Sequence, residues 1–254
     1  MNETLPSVLI TGGAKRIGAV MARAFAALGW HVVIHYGRSR SDAELLAASL
    51  PSARAVQCNL ADAGAAAAMI ESLAGQLDNW PLLINCAAVF GEDTGARIDH
   101  AIFAETMAVN VEAPVRMAQA FLAQARAEGG RRVIQVLDMK IANPNPDFFS
   151  YTMSKNALAA SVKTLAMATS GVADRIYGLA PGALLPSHDQ LPNEHSASGT
   201  MNLLARITAP EELAEAALFL SQGWLASGET LFVDSGQHLM SQPRDVIYLA
   251  RGLT

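Results

Sequence analysis

The sequence predicts an α/β protein: one doubly wound, parallel Rossmann-type sheet with helices on both faces, a single domain over residues 1–254. Three observations predict it. Short apolar runs alternate along the chain with longer stretches of helical periodicity, the pattern of repeated β-α units. A glycine-rich turn, Thr11-Gly12-Gly13-Ala14-Lys15-Arg16-Ile17-Gly18, joins the first run to the first helical stretch. No linker, repeat or low-complexity tract interrupts the alternation.

Val8-Leu9-Ile10 is the first strand. Behind the glycine turn, Ile17, Met21, Ala24, Phe25 and Leu28 recur at helical spacing, and Gly29 marks the helix end. His31–His35 and Ala55–Cys58 read as the next strands, with an alanine-rich helix over Ala61–Leu77. Leu82–Asn85 is continuously apolar before its asparagine, as a strand covered on both faces should be. Helical stretches follow over Phe103–Val115 and Val115–Arg126, then a strand at Arg132–Leu137 and a helix over Tyr151–Met167. Arg175–Leu179, Glu211–Leu220 and Thr230–Val233 complete the series as strand, helix and strand. Pro181 to about Ala205, with three prolines and two histidines, is the one long irregular stretch, and we expect a substrate lid around 183–206.

Composition bounds the function. A chain of 254 residues that is 51% hydrophobic can bury a large core without staples. A net charge of −5 offers no basic face for nucleic acid. No apolar run approaches the roughly 20 residues needed to span a bilayer. The N-terminus, Met1–Ser7, has no basic segment and does not read as a signal peptide. Cys58 and Cys86, the only cysteines, each adjoin a strand and read as free thiols. The absence of Cys/His spacing argues against a metal. These features predict a soluble cytoplasmic protein.

The first turn is built for a dinucleotide. Its glycines let backbone approach a pyrophosphate, whose charge is favoured by the N–H groups at a helix start. The end of the second strand distinguishes the cofactors. A carboxylate there would suit NAD ribose hydroxyls, but the sequence offers His35-Tyr36-Gly37-Arg38-Ser39-Arg40, with no acid before Asp42. Arg38 can fork onto a 2′-phosphate and Ser39 can donate to it, with Lys15 and Arg16 adding charge, so NADP(H) is expected.

Tyr151 and Lys155 stand at i and i+4 of a helix, putting a phenol and an ammonium on one face. A free phenol is a poor proton carrier at neutral pH, and a neighbouring cation favours its phenolate. Asn110, in Met107-Ala108-Val109-Asn110, either holds a water that relays protons to Lys155 or ties two helices together.

Together these residues resemble the short-chain dehydrogenase/reductase family over nearly the whole chain: the turn Thr11–Gly18, Asn85-Cys86-Ala87, Asn110, Tyr151 with Lys155, Pro181-Gly182, and Val233-Asp234-Ser235-Gly236. The resemblance implies that Ile17, Asn59, Leu60, Asn85 and Ala87 line the cofactor, that Lys155 also holds the nicotinamide ribose, and that Pro181 and Gly182 sit by the nicotinamide. It further implies a homotetramer or dimer, with the tail after Gly236 packing into a neighbour's site. The sequence also departs from the family. Asp138 stands thirteen residues before the tyrosine, where a Ser or Thr is usual, and Arg16 replaces a turn glycine. Asn59 and Tyr177 replace a common Asp and Asn.

Asp138, Arg16 and the run His35–Ser39 look like the pteridine reductases and bacterial dihydromonapterin reductases. In these, the place of Phe90 stacks the pterin, and Asp138, Tyr151 and Arg16 would contact it. That implies reduction of a pterin imine by NADPH, against two alternatives: a reductase of ketones or 3-oxoacyl thioesters, and a non-catalytic NADP(H)-binding sensor. A buried carboxyl suits a pterin, which presents both donors and ring nitrogens.

Overall fold

The computed structural model of the protein describes residues 5–169, 171–187 and 189–253. Residues 1–4, part of the stretch read for a leader, and His188 of the irregular stretch lie outside them. Seven parallel strands form one sheet in the order β3-β2-β1-β4-β5-β6-β7, where β1 is Ser7–Ile10, β2 His31–Tyr36, β3 Ala53–Gln57, β4 Leu82–Asn85, β5 Arg132–Val136, β6 Arg175–Pro181 and β7 Thr230–Val233. The order reverses direction between β1 and β4, and the crevice beyond the carboxyl ends of such strands is where ligands bind in doubly wound sheets.

The strand runs are apolar on both sides because both faces are covered. Leu9, Val33, Leu83, Val133 and Ile176 enter one core with α3 (Ala63–Ala74), α5 (Ala113–Gln124) and α6 (Phe149–Ala168). Their sequence neighbours Val8, Val32, Leu82, Ile134 and Tyr177 enter the other, with α1 (Arg16–Ala27), α2 (Arg40–Ser49) and α8 (Pro210–Ser221). The period of two along each strand thus feeds two separate cores.

Several boundaries differ from the sequence reading. The polar helix α2 has a weak apolar face, burying only Ala43 and Leu46, and leaves little periodicity to detect. Leu28, assigned to the apolar stripe of α1, is 64% exposed. The third helix is shorter than expected because Asp62 caps it, its carboxylate accepting from Ala65 N. The helical stretch expected to divide at Val115 divides earlier. α4 (His100–Met107) passes through a π turn at Ala108–Glu112 into α5. Pro114 lacks an N–H for the α-helical pattern, and the wider turn accommodates it.

The stretch expected to be irregular contains α7 (Pro192–Gly199), with Pro192 in its first turn and the Glu194 carboxylate accepting from Leu191 N. Its Ser- and Asn-rich sequence hides the helix from a search for apolar periodicity. The tail runs over its own chain. A 3₁₀ turn at Gln237–Leu239 leads to α9 (Val246–Ala250), which packs on α7. Arg251 fixes the contact, its guanidinium meeting Glu194 Oε1 at 3.1 Å and Asp189 Oδ2 at 3.1 Å.

Candidate active site

Beyond the carboxyl ends of the strands lies a cavity of about 570 Å³. Its floor is the β1–α1 turn. Gly12 has φ +63°, and a Cβ there would stand 3.0 Å from Ala87 Cα. At Gly18 a Cβ would fall 2.3 Å from Gly12 O, so only glycine allows the turn to close. Thr11 Oγ1 accepts from both Cys86 N and Ala87 N at 3.0 Å, tying this turn to the end of β4. Arg16, replacing a turn glycine, sits in the left-handed region at φ +52°. Strain of this kind in a non-glycine residue persists where surroundings enforce it, and functional sites are where it gathers.

The turn is held from below by His35. Gly12 N donates to His35 Nδ1 at 3.2 Å, and His35 Nε2 faces Cys58 O at 3.1 Å. An accepting Nδ1 and a carbonyl partner at Nε2 define the neutral Nε2–H tautomer. Burial also lowers the pKa of this ring, against the carbonyl contact that raises it. His35 is therefore an uncharged brace for the glycine turn rather than a cation for a phosphate.

The reacting groups come from two elements. Asp138 follows β5 and opens a 3₁₀ turn, Met139–Ile141, where its Oδ1 accepts from Lys140 N at 2.9 Å. Tyr151 and Lys155 lie in the first turns of α6, whose N-terminus is capped from the loop after β4: Asp93 Oδ1 accepts from Ser150 N at 2.9 Å. Tyr151 Oη donates to Asp138 Oδ2 at 2.9 Å. Lys155 Nζ donates to Val136 O at 2.7 Å and lies 5.6 Å from the centre of the Tyr151 ring. Phenol, carboxyl and ammonium all open on the cavity.

Electrostatics corrects one expectation here. Burial raises the Asp138 carboxyl above the usual carboxylate range, against the opposing charge of Lys140. Tyr151 is also raised, first by burial and then by the Asp138 charge. Burial lowers Lys155. The phenol is thus raised, not lowered as the neighbouring ammonium led us to expect. Burial pushes the Cys86 thiol up to about 11, leaving it protonated at the cavity wall.

Of the residues expected from sequence, Gly12, Lys15, Arg16, Ile17, Gly18, Ala87, Phe90, Asp138, Tyr151, Lys155, Pro181 and Gly182 line this cavity. Four others direct their side chains inward. Besides His35, Asn85 Nδ2 donates to Pro114 O and Gln135 Oε1, and Leu60 enters the core. Asn110 Nδ2 donates to Val89 O and Ser154 Oγ while its Oδ1 accepts from Val89 N. That amide ties the π turn to the β4 loop and α6, with both hydrogens committed. Asn59 folds onto its own turn, accepting from Ala61 N. Tyr36, Arg38 and Ser39 stand at the end of β2, and Ser39 precedes α2 without capping it through its side chain.

Phe90 is 41% exposed; its ring stacks on Phe148 with centroids 4.2 Å apart and meets Tyr151 edge-on at 4.8 Å. Sequence reasoning missed the outer wall: Lys140, Gln237, Met240, Gln242 and Asp245–Ile247. Nothing in the tail's periodicity announces it. Among the described residues no group of His, Cys, Asp and Glu could hold a metal, and no helix is long and apolar enough to cross a membrane.

The family model described as enoyl-(acyl carrier protein) reductase matches residues 12–238. A solved structure of FolM alternative dihydrofolate reductase 1 from Brucella canis, complexed with NADP, superimposes with a TM-score of 0.87 at 30% identity, covering 94% of this chain and 96% of that one. Pteridine reductase 1 of Leishmania tarentolae is 26% identical over 94% of this chain and 98% of its own. A ketoacyl reductase of the granaticin polyketide synthase of Streptomyces violaceoruber is 28% identical over 92% of this chain and 97% of its own.

Proposed function

Because this chain belongs to the short-chain dehydrogenase/reductase family, we propose that it is an NADP(H)-dependent reductase acting on a pterin of the dihydromonapterin, dihydrobiopterin or dihydrofolate type. The observation that carries the reading is the Asp138 carboxyl, bonded to Tyr151 and open on the cavity that Arg16 and Phe90 share.

The residues fit NADP(H). Glycine at Gly12 and Gly18 lets the turn close against Ala87 and its own backbone, and a glycine turn between a strand and a helix start is one a pyrophosphate can approach closely. Asp42, the first acid in sequence after β2, faces Lys15 at 2.9 Å, and Arg38 and Ser39 are the residues for a 2′-phosphate. Lys155 and Tyr151 would hold the nicotinamide ribose, with Pro181 and Gly182 beside the ring. When bound, NADPH supplies the hydride for a carbon–nitrogen double bond.

The protein's part is the proton. Reduction of an imine needs one proton at the ring nitrogen. Tyr151 Oη is the donor; once Asp138 is protonated the hydrogen bond between them runs the other way, from carboxyl to phenol oxygen, so that as Tyr151 gives up its proton its oxygen takes that of Asp138. A carboxyl raised by burial keeps its proton to higher pH than an ordinary carboxylic acid, which suits it to that role. Lys155, beside the ring, opposes charge left on the phenol oxygen. Phe90 offers a partly exposed face for a flat heteroaromatic ring. Residues 183–206 serve as the substrate lid, with Leu184, Leu185, Gln190 and Ser198 facing the cavity. The reading includes a homotetramer or dimer, to be checked by mass in solution.

Oxidation of NADPH is to be followed with dihydromonapterin, dihydrobiopterin, dihydrofolate and a 3-oxoacyl thioester. Turnover of a pterin that is lost in Asp138→Ser supports the reading. Inactivity with all three pterins overturns it. Turnover of the thioester alone would favour the second reading, which the similarity to a ketoacyl reductase keeps in view.

A further inference from the structure

A second buried pair stands next to the reacting one, and the mechanism above makes no use of it. Lys140 follows Asp138 on the 3₁₀ turn and is 5% exposed. Its ammonium pairs at 2.6 Å with Asp245, which comes from the tail just before α9, and both side chains are nearly shut off from water. Lys140 Nζ also donates to Asn145 Oδ1 at 3.2 Å and lies 5.3 Å from the centre of the Phe148 ring. Lys140 and Asp245 both border the same cavity as Asp138. Stability alone does not explain an ion pair there, since apolar residues of similar volume generally serve a core as well.

We propose that Asp245 is a positioning residue that acts on Asp138 through Lys140: the docked tail answers the ammonium and so sets the pH range in which Asp138 carries a proton. The proposal rests on Asp138 as the proton source of the reading above. Lys140 from its own turn, with Tyr151 and Lys155 from α6, are the charged and titratable groups facing Asp138. Lys140 is faced in turn by Asp245 and by Asp147, whose carboxylate is held by Arg244 Nε at 2.8 Å. Among the described residues, Asp245 also acts on Tyr151 directly, raising it, and Cys86, near both Tyr151 and Lys155, is protonated.

Burial raises Asp138, and the charge of Lys140 is the largest influence working against it, ahead of the hydrogen bond from Tyr151. The signs follow. With Asp245 neutralised, the ammonium stands unanswered, the carboxylate form of Asp138 gains, and its titration moves to lower pH. With Lys140 neutralised, Asp245 stands unanswered and the titration moves to higher pH. With both neutralised it falls between.

The test is the titration of the Asp138 carboxyl carbon in the full-length protein, ¹³C-labelled at aspartate and assigned with Asp138→Asn, in wild type, Asp245→Asn, Lys140→Met and the double variant. Asp245→Asn is expected to lower the midpoint by about one unit, a tenfold change in proton affinity. Lys140→Met is expected to raise it, and Asp245→Glu to restore the wild-type value. A purely structural pair would change stability without opposite displacements. Midpoints that stay put, or move the same way in both single variants, overturn the proposal. Should Lys140→Met fail to fold, the pair Asp245→Asn and Asp245→Glu still decides it. The pH profile of kcat/KM for NADPH oxidation with an active pterin separates the two readings. A carbon titration that moves while the profile stays fixed supports the tuning of Asp138 and removes Asp138 as the proton source.

Discussion

Replacing His35 with leucine tests whether the glycine turn depends on a side chain that never reaches the cavity. The substitution keeps roughly the volume of the ring and removes both of its polar atoms. Gly12 N–H and Cys58 C=O, now at 3.2 and 3.1 Å from the ring nitrogens, lose their partner. A buried polar group left unsatisfied costs about 1–3 kcal/mol, so the pair costs about 2–6 kcal/mol. Both bonds are long and Gly12 borders the cavity, where water can reach it, so the expected loss is near the lower end, about 2–3 kcal/mol.

The part lost at Gly12 also falls on cofactor binding. If about 1 kcal/mol of it must be regained to re-form the turn, Kd for NADPH rises roughly fivefold. The sign of the pH effect follows from the lowered pKa of His35. A histidine depressed on folding favours the folded state fully above its unfolded value near 6.5, and stability falls as pH drops below that value. His31 and His195 are lowered too, so the slope in His35→Leu should become shallower rather than vanish. Urea denaturation at fixed protein concentration, at about pH 8 and about pH 5.5, and fluorescence titration with NADPH measure both effects. A stability within about 0.5 kcal/mol of wild type together with unchanged NADPH affinity would refute the brace.

Arg16→Gly should relieve the left-handed backbone at φ +52° and leave stability equal to wild type or up to about 1 kcal/mol higher, while NADPH binding weakens about tenfold through loss of a charge-assisted contact. Calorimetry of unfolding and of NADPH binding reads the two opposite changes, and a loss of both properties would mean that the arginine holds the turn itself. Gly18→Ala, whose Cβ would fall 2.3 Å from Gly12 O, should displace the turn and cut NADPH affinity by more than tenfold while circular dichroism stays near wild type; affinity within about twofold would show that the turn yields easily.

The alternation of strands and helices, the glycine turn and the i, i+4 pair of Tyr151 and Lys155 were all legible in the sequence. These are local: hydrophobic period, turn chemistry and helix spacing are written within a few residues of one another. The sequence also marked Asp138 as a departure from the family that it resembles, though not what that carboxyl would meet. Tertiary structure decided the rest. The proximity of Asp138 to Tyr151, the elevation of both by burial, and the inward turn of His35, Asn85 and Asn110 depend on which groups the fold shuts off from water. The path of the tail was equally out of reach. Asp245 meets Lys140, and Arg251 meets Glu194, across long separations in the chain, and no local pattern encodes which buried charge will answer which.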